Sequence, residues 1–331
     1  MKDKALIVGD LHITLSKLSW FNNSLFPFLL AEMEKHGCTH LVFLGDIFDD
    51  REAVPTPCLE CFIDLLTKTS GKFIVACVKG NHDYWTYSIA ESLNLEMING
   101  YIKSLGYDGM IFDYFKFNNT DCHLINYDEI HKTRERLQKI ENRKSYIFGH
   151  NTTEVCNIAK KSEDYIKYDD LYDFNYCFFG HIHNYSENSN IIHLPSVYQH
   201  DFGEDHYKFI VLMGLSHLEM SFIEIPIEKR LISIHIDKKV SKSELENILS
   251  ENGVKEGDSV RIVAKMKKSE FDEIGYLFSN FKVKKDFQME ENTISEKRVF
   301  EKTDILEEIK KYIEQNSQGS NVEKIIQKLI G

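Results

Sequence analysis

Gly80-Asn81-His82-Asp83 stands just behind the apolar run 73–78, and this pairing of a strand-like run with metal-binding side chains decides the fold. Four more blocks repeat it outward along the chain. Gly9-Asp10-Leu11-His12 follows the run 5–8, and Gly45-Asp46 follows 40–44. Gly149-His150 follows 145–148, and Gly180-His181-Ile182-His183 follows 176–179. Short runs rich in Val, Ile and Phe read as buried strands. Side chains so far apart in sequence reach one point only if something rigid aligns them, and neighbouring strand ends in a sheet do that. The glycines are expected to let the backbone turn away sharply behind each strand. Any one block alone is common by chance; it is the series that carries the reading.

Between the blocks the chain alternates strand and helix. Strands are expected at 5–9, 40–45 and 73–78, with helices at 17–36 and 56–69 between them, an α/β pattern. Residues 110–117 and 122–127 read as two further strands, 129–142 as a charged helix, and 191–195, 207–213 and 218–225 as strands. The expected fold class is therefore α/β, a two-sheet sandwich flanked by helices, ending near residue 227. A compact βαβαβ unit follows over 228–290, its helices opened by Ser241 with Glu244 and by Ser269 with Asp272, both at capping-box spacing. Residues 291–331 read as a polar linker and two amphipathic helices, one carrying Ile305, Leu306, Ile309, Tyr312 and Ile313, the other Val322, Ile325, Ile326, Leu329 and Ile330. So short a pair cannot bury two apolar faces alone and must dock on this chain or on a partner.

No apolar run approaches the roughly 18 residues of a membrane helix, and the first strand begins too early for a signal peptide, so a cytoplasmic protein without membrane partners is expected. The seven cysteines are odd in number and irregularly spaced, which argues for reduced thiols. Net charge is −12, which speaks against nucleic-acid binding over the whole surface. The distribution is uneven. Residues 226–331 hold 20 Lys+Arg and 20 Asp+Glu, so all of the acidic excess lies before them. The later region also carries two basic clusters, Lys265, Lys267, Lys268 and Lys282, Lys284, Lys285, which read either as phosphate contacts or as solvated strand faces.

Carboxylate, amide and imidazole donors without thiolate suit divalent manganese, iron or zinc. The series Asp-x-His, Gly-Asp, Gly-Asn-His-Asp, Gly-His, Gly-His-x-His resembles that of the calcineurin-like metallophosphoesterase superfamily, with every position filled. The resemblance implies two divalent cations, manganese or else magnesium. Asp10, His12 and His183 would hold one ion, Asn81, His150 and His181 the other, and Asp46 would bridge them. A water whose pKa the cations lower is then the expected nucleophile. His82 is left free to protonate or steady the leaving oxygen. Asp83 either orients His82 or stabilises the turn. His200, which flanks the acidic loop 201–205, and Asp49 are expected at the rim of the site.

Within the superfamily, Gly45-Asp46-Ile47-Phe48-Asp49, the small αβ domain and the closing helical pair resemble the SbcD-like DNA repair and recombination nucleases, nearest to the subunit of tailed phages. That resemblance implies an exonuclease on double-stranded DNA ends, with single-strand endonuclease activity beside it. It also implies a DNA-capping domain over 228–290, a homodimer, and an SMC-like (SbcC-type) ATPase bound by residues 303–330; the two lysine clusters of 228–290 are the expected phosphate contacts of that domain. Many cellular relatives have histidine where this chain has Asp49. A small-substrate phosphodiesterase or phosphatase, and a scaffold with a vestigial site, are the alternatives; the intact ligand set argues against the second and the extra domains against the first.

Overall fold

A computed structural model describes residues 3–51, 53–84, 93–156, 165–214, 219–227 and 229–285. The linker and the two amphipathic helices expected over 291–331 lie outside them.

Fourteen strands lie among the described residues: β1 (Ala5–Val8), β2 (His40–Phe43), β3 (Ile74–Cys77), β4 (Tyr114–Phe117), β5 (Thr120–Ile125), β6 (Tyr146–Gly149), β7 (Tyr176–Phe179), β8 (Ser186–Asn188), β9 (Ile191–His193), β10 (Phe209–Met213), β11 (Met220–Glu224), β12 (Leu231–Ile236), β13 (Ser259–Ala264) and β14 (Lys282–Lys285). Seven helices accompany them: α1 (Leu18–Trp20), α2 (Phe26–His36), α3 (Thr56–Thr69), α4 (Leu93–Ser104), α5 (Ile130–Gln138), α6 (Lys242–Glu251) and α7 (Lys268–Ile274). The helix expected over 17–36 is interrupted by a π-helical turn at Phe21–Leu25, between α1 and α2.

One sheet runs β11-β10-β1-β2-β3 and a second β4-β5-β6-β7-β9-β8. Strands β1, β2 and β3 are parallel, as are β5, β6, β7 and β9. The core follows from strand alternation. Ala5, Ile7, Val42, Leu44, Ala76 and Val78 pack inward against Phe115, Phe148, Phe178 and Ile192 of the second sheet. Leu6, Val8, Leu41 and Phe43 turn the other way, onto Phe26, Leu29 and Met33 of α2 and Phe62 and Leu65 of α3. On the far side Ile147, Cys177 and Phe179 meet Leu137 of α5. Strands covered on both faces are apolar at every position, which is why these runs show no polar alternation.

The run 110–117 is one strand in sequence and two in space. Around Ile111 it pairs with β3, Ile111 N donating to Val75 O at 2.9 Å, before the chain crosses to the second sheet as β4.

Residues 229–285 form the expected βαβαβ unit, a parallel sheet β12-β13-β14. Ile234, Ile236, Val260, Ile262 and Ala264 cover one face with Leu245 of α6 and Phe271 and Ile274 of α7. The Ser241 capping box forms, Ser241 N donating to Glu244 Oε2 at 2.7 Å and Glu244 N to Ser241 Oγ at 3.3 Å. The box expected at Ser269 does not. Helix α7 begins earlier, where Lys267 N donates to Glu270 Oε2 at 3.1 Å, so the carboxylate one residue after Ser269 takes the capping role.

Candidate metal centre

Each block sets its polar residues where a parallel strand stops. Asp10 and His12 follow β1, Asp46 follows β2, Asn81 and His82 follow β3, His150 follows β6, and His181 and His183 follow β7. Three of these residues have left-handed backbone, His12 (φ 46°), Asp46 (φ 49°) and His181 (φ 78°). Such a conformation costs a residue with a side chain about 1–3 kcal/mol, and persists where surrounding structure imposes it. Here Asp46 O takes the amides of Leu11 and His12, at 3.2 and 2.9 Å. Of the block glycines only Gly45 needs a turn with positive φ, at 103°. Gly180 is there for close approach instead, since a Cβ would lie 2.2 Å from Asp10 Oδ1 and 2.8 Å from Leu44 O.

The histidines are aimed by acceptors behind them. His150 Nδ1 donates to Leu44 O at 2.7 Å, and His183 Nδ1 to Glu204 Oε1 at 2.8 Å. His12 Nδ1 faces Asp49 Oδ1 at 3.2 Å. In the neutral ring a protonated Nδ1 leaves Nε2 as a lone pair, and these Nε2 atoms converge. His12 Nε2 and His183 Nε2 stand 3.2 Å apart, with Asp46 Oδ2 3.5 Å from the first and Asp10 Oδ2 3.6 Å from the second. His150 Nε2 lies 3.0 Å from Asn81 Oδ1 and 3.2 Å from Asp46 Oδ2, and His181 Nδ1 lies 2.8 Å from Asn81 Oδ1. Two lone pairs facing each other at such distances repel unless a cation sits between them. With metal–ligand bonds of about 2.0–2.2 Å, neighbouring donors on one ion fall about 2.9–3.5 Å apart. The spacing fits two divalent cations, with Asp46 Oδ2 next to both sets. His12, Asp46, His82, His150, His181, His183 and His200 all fall in groups that could hold a metal ion.

Burial disfavours a proton on His150, yet Asp46 and Asp10 act against it and push its pKa up to about 9. Burial, then His150 itself, pushes His181 down to about 3. Burial also opposes charge on Asp46, but His150 and His12 hold its carboxyl well below the ordinary range.

Two expectations about the neighbours of Asn81 need correction or refinement. Asp83 does not orient His82: its carboxylate takes Gly80 N at 2.8 Å and Ile47 N at 3.0 Å, tying the third block to the second. Two buried amides needing an acceptor claim it, and burial with the Asp46 charge pushes its pKa up to about 7. His82 is held by the backbone of Asp49 instead, Nδ1 donating to its carbonyl at 2.5 Å. Asp49 thus touches the site twice, through its carboxylate on His12 and its carbonyl on His82. His200 lies over the rings of His12 and His183, at 4.4 and 4.6 Å between centroids.

Lys282 touches the loop that carries His200: its ammonium lies 5.5 Å from the centre of the Phe202 ring. Lys284 shares that sheet face by alternation. Lys285 is on the opposite face, over Phe271, while Lys265 and Lys267 sit in the turn between β13 and α7 and Lys268 opens α7. Sequence reading missed Glu204, Lys208 and Arg261. Lys208 is fully buried, its Nζ on His183 O at 2.9 Å, Glu204 Oε2 at 2.9 Å and Ser196 Oγ at 3.1 Å. The available signal was the acidic loop behind Pro195-Ser196.

Residues 4–185 match the family model described as calcineurin-like phosphoesterase, more than half of the chain. The chain belongs to that family. Calcineurin-like phosphoesterases are metal-dependent phosphoester hydrolases, and the two donor sets meet that requirement. Glu204, Lys208 and the sheet of β12 to β14 lie beyond the matched residues. No curated protein matches the chain. Among the described residues no helix is long and apolar enough to cross a membrane.

Proposed function

We propose that this phosphoesterase is the nuclease subunit of a DNA recombination or repair machine. It would cut duplex DNA from its ends, with single-strand endonuclease activity beside it, and work with an SMC-like (SbcC-type) ATPase. One observation carries the reading. A sheet face bearing Arg261, Lys282 and Lys284 is seated against the loop beside the metal centre, with the Arg261 guanidinium 4.7 Å and the Lys282 ammonium 5.5 Å from the centre of the Phe202 ring. A small phosphate ester needs no such face. A polyanion reaching an otherwise acidic catalytic unit does.

In this reading residues 1–227 are the nuclease domain, 228–290 the DNA-capping domain and 291–331 a linker with the ATPase-binding helices. Asp10, His12 and His183 hold one cation, Asn81, His150 and His181 the other, and Asp46 is shared; manganese, or magnesium, suits the donors. When bound, the ions supply charge stabilisation for the phosphoryl oxygens and lower the pKa of water. The chain's own part is orientation: Leu44 O, Glu204 and Asp49 fix the rings of His150, His183 and His12, and Asp49 O fixes His82 beside them. For the homodimer, α4 offers Met97 and Tyr101, and the turn behind it Leu105, all three exposed and spaced at i, i+4 and i+8.

The test is the purified chain with manganese, offered labelled duplex DNA, single-stranded DNA and an aryl phosphodiester side by side. Chelator-sensitive shortening of the duplex from its ends is expected. Hydrolysis of the aryl ester with both DNAs intact would leave a small-substrate phosphodiesterase.

Two further outcomes follow from this reading. Changing Lys267, Lys268 and Lys284 to Gln should flatten the slope of log affinity for DNA against log salt by up to about three, because each phosphate contact releases about one counterion. Lys282 is left intact because it lies over Phe202. Aryl phosphodiester hydrolysis should be unaffected, and an unchanged slope would make these lysines solvated side chains only. Deleting residues 296–331 should abolish co-purification with the ATPase and any stimulation by ATP while sparing ATP-independent activity. A truncated chain that melts markedly earlier without a partner would instead place the helices in its own core.

A further inference from the structure

The loop 198–204 touches the metal centre and the βαβαβ unit with alternate side chains. Toward the centre, Tyr198 Oη donates to His12 O at 2.6 Å, His200 covers the rings of His12 and His183, and Glu204 accepts from His183 Nδ1. Toward the other unit, the buried Gln199 side chain pairs with the backbone of Leu231, accepting its N–H at 2.9 Å and donating to its carbonyl at 3.0 Å. Phe202 O accepts from Ser233 Oγ at 3.1 Å, and the Phe202 ring lies under Arg261 and Lys282. The two sides are stitched together inside the loop. Gln199 Nε2 also donates to Glu204 O at 2.8 Å, and His200 N to Glu204 Oε2 at 3.2 Å. Lys208, buried beneath, ties Glu204 to the carbonyl of His183.

We infer that Gln199 and Phe202 are positioning residues, through which docking of the βαβαβ unit sets the His12 and His183 half of the metal centre. The inference rests on the two-ion reading of the site. Moving either anchor shifts Glu204 and His200 together, because they share hydrogen bonds with the anchored segment. A shift of Glu204 rotates the His183 ring and withdraws Nε2 from its convergence with His12 Nε2. In the other half His150 is aimed by Leu44 O, and Asn81 Oδ1 lies against His150 Nε2 and His181 Nδ1, none of these partners belonging to the loop. The effect should therefore fall on one ion and not on both. Outer partners of ligating histidines typically change metal affinity by about 10- to 100-fold.

The experiment titrates manganese into the full-length chain by calorimetry, comparing wild type, the Gln199→Ala/Phe202→Ala double variant, and Phe202→Tyr. Phe202→Tyr keeps an aromatic face for the two cations. In the double variant one equivalent should weaken by about tenfold or more while the other keeps its affinity. On an aryl phosphodiester at saturating manganese, kcat should fall with little change in KM. Phe202→Tyr should bind both equivalents as wild type does, and so separate positioning from bulk packing. A wild-type titration curve in the double variant overturns the inference while leaving the two-ion reading intact. Loss of both equivalents together with an early thermal melt overturns it too, since the loop would then be a general fold support. A wild-type chain that takes up no manganese removes the two-ion reading, and this inference with it.

Discussion

Asp46→Ala should reduce bound manganese from two equivalents to at most one and cut turnover by about three to four orders of magnitude, the several kcal/mol of charge stabilisation that a two-metal site supplies. Asp46 stands between the donor sets, Oδ2 lying 3.2 Å from His150 Nε2 and 3.5 Å from His12 Nε2. Two dications about 3.5–4 Å apart repel strongly. At an effective dielectric of about 20 that repulsion is on the order of 20 kcal/mol before screening by ligands. A shared carboxylate is the principal negative charge placed to offset it, with Asp10 on one side only. The other carboxylate oxygen of Asp46 holds the neighbouring turn, Oδ1 accepting from His82 N at 2.7 Å. Alanine removes both functions, so Asp46→Asn is the informative companion. The amide keeps an oxygen for the His82 N–H but loses the charge. Calorimetric titration with manganese should give Asn and Ala the same lost equivalent. Two equivalents retained in Asp46→Asn would show that the carboxylate's charge does not hold the pair together.

The parts of this arrangement that could be read from sequence are those in which local chemistry and position coincide. Runs such as Leu41 to Leu44 are apolar throughout because helices cover one face and the second sheet the other. The residues behind them are Gly, Asp, Asn and His because the strand ends share one small volume, where Gly180 meets the Asp10 carboxylate and Leu44 carbonyl and no side chain fits. What escaped the sequence depends on partners distant in the chain. Lys208 sits among charged neighbours and reads as a surface cation; only the fold encloses it with Glu204 and the His183 carbonyl. Adjacency left Asp83 undecided between supporting the His82 ring and stabilising the turn; consecutive side chains in a tight turn diverge, and the amides of Gly80 and Ile47 lay on its side. Residues 110–117 have one continuous pattern because apolar side chains suit either sheet, and nothing local marks the crossing at Asp113. The basic clusters were legible as clusters, but their faces were not. The pairing of Arg261 with Lys282 puts Lys282 and Lys284 toward the catalytic unit and turns Lys285 away. Arg261 was passed over because it stands alone in an apolar strand.

His82→Ala should keep both manganese equivalents and lose about two to four orders of magnitude in turnover, the range for a lost general acid or base. His82 meets Asp46 through its backbone amide, and its ring stands 4.8 Å from that of His12, edge to face. Its Nδ1 proton is committed to the Asp49 carbonyl, so Nε2 is the atom that can meet a substrate oxygen. Burial pulls the His82 pKa below the ordinary histidine value, although Asp46 and the Asp49 carbonyl act against it. The sign is then fixed: the imidazolium form that can protonate a leaving oxygen is lost as pH rises through the His82 pKa, and a phosphate placed against Nε2 opposes that loss. Wild-type kcat should accordingly carry a limb that falls with rising pH, and His82→Ala should lack it. An ester with a strongly acidic aryl alcohol needs no proton on departure, so the variant should recover most of its deficit on that substrate and little on DNA. His82 also belongs to one of the groups able to hold a metal ion, with His12 and Asp46, and the titration separates the two roles. If His82→Ala loses an equivalent of manganese, or its deficit is the same for good and poor leaving groups, His82 is a ligand and the proton comes from elsewhere.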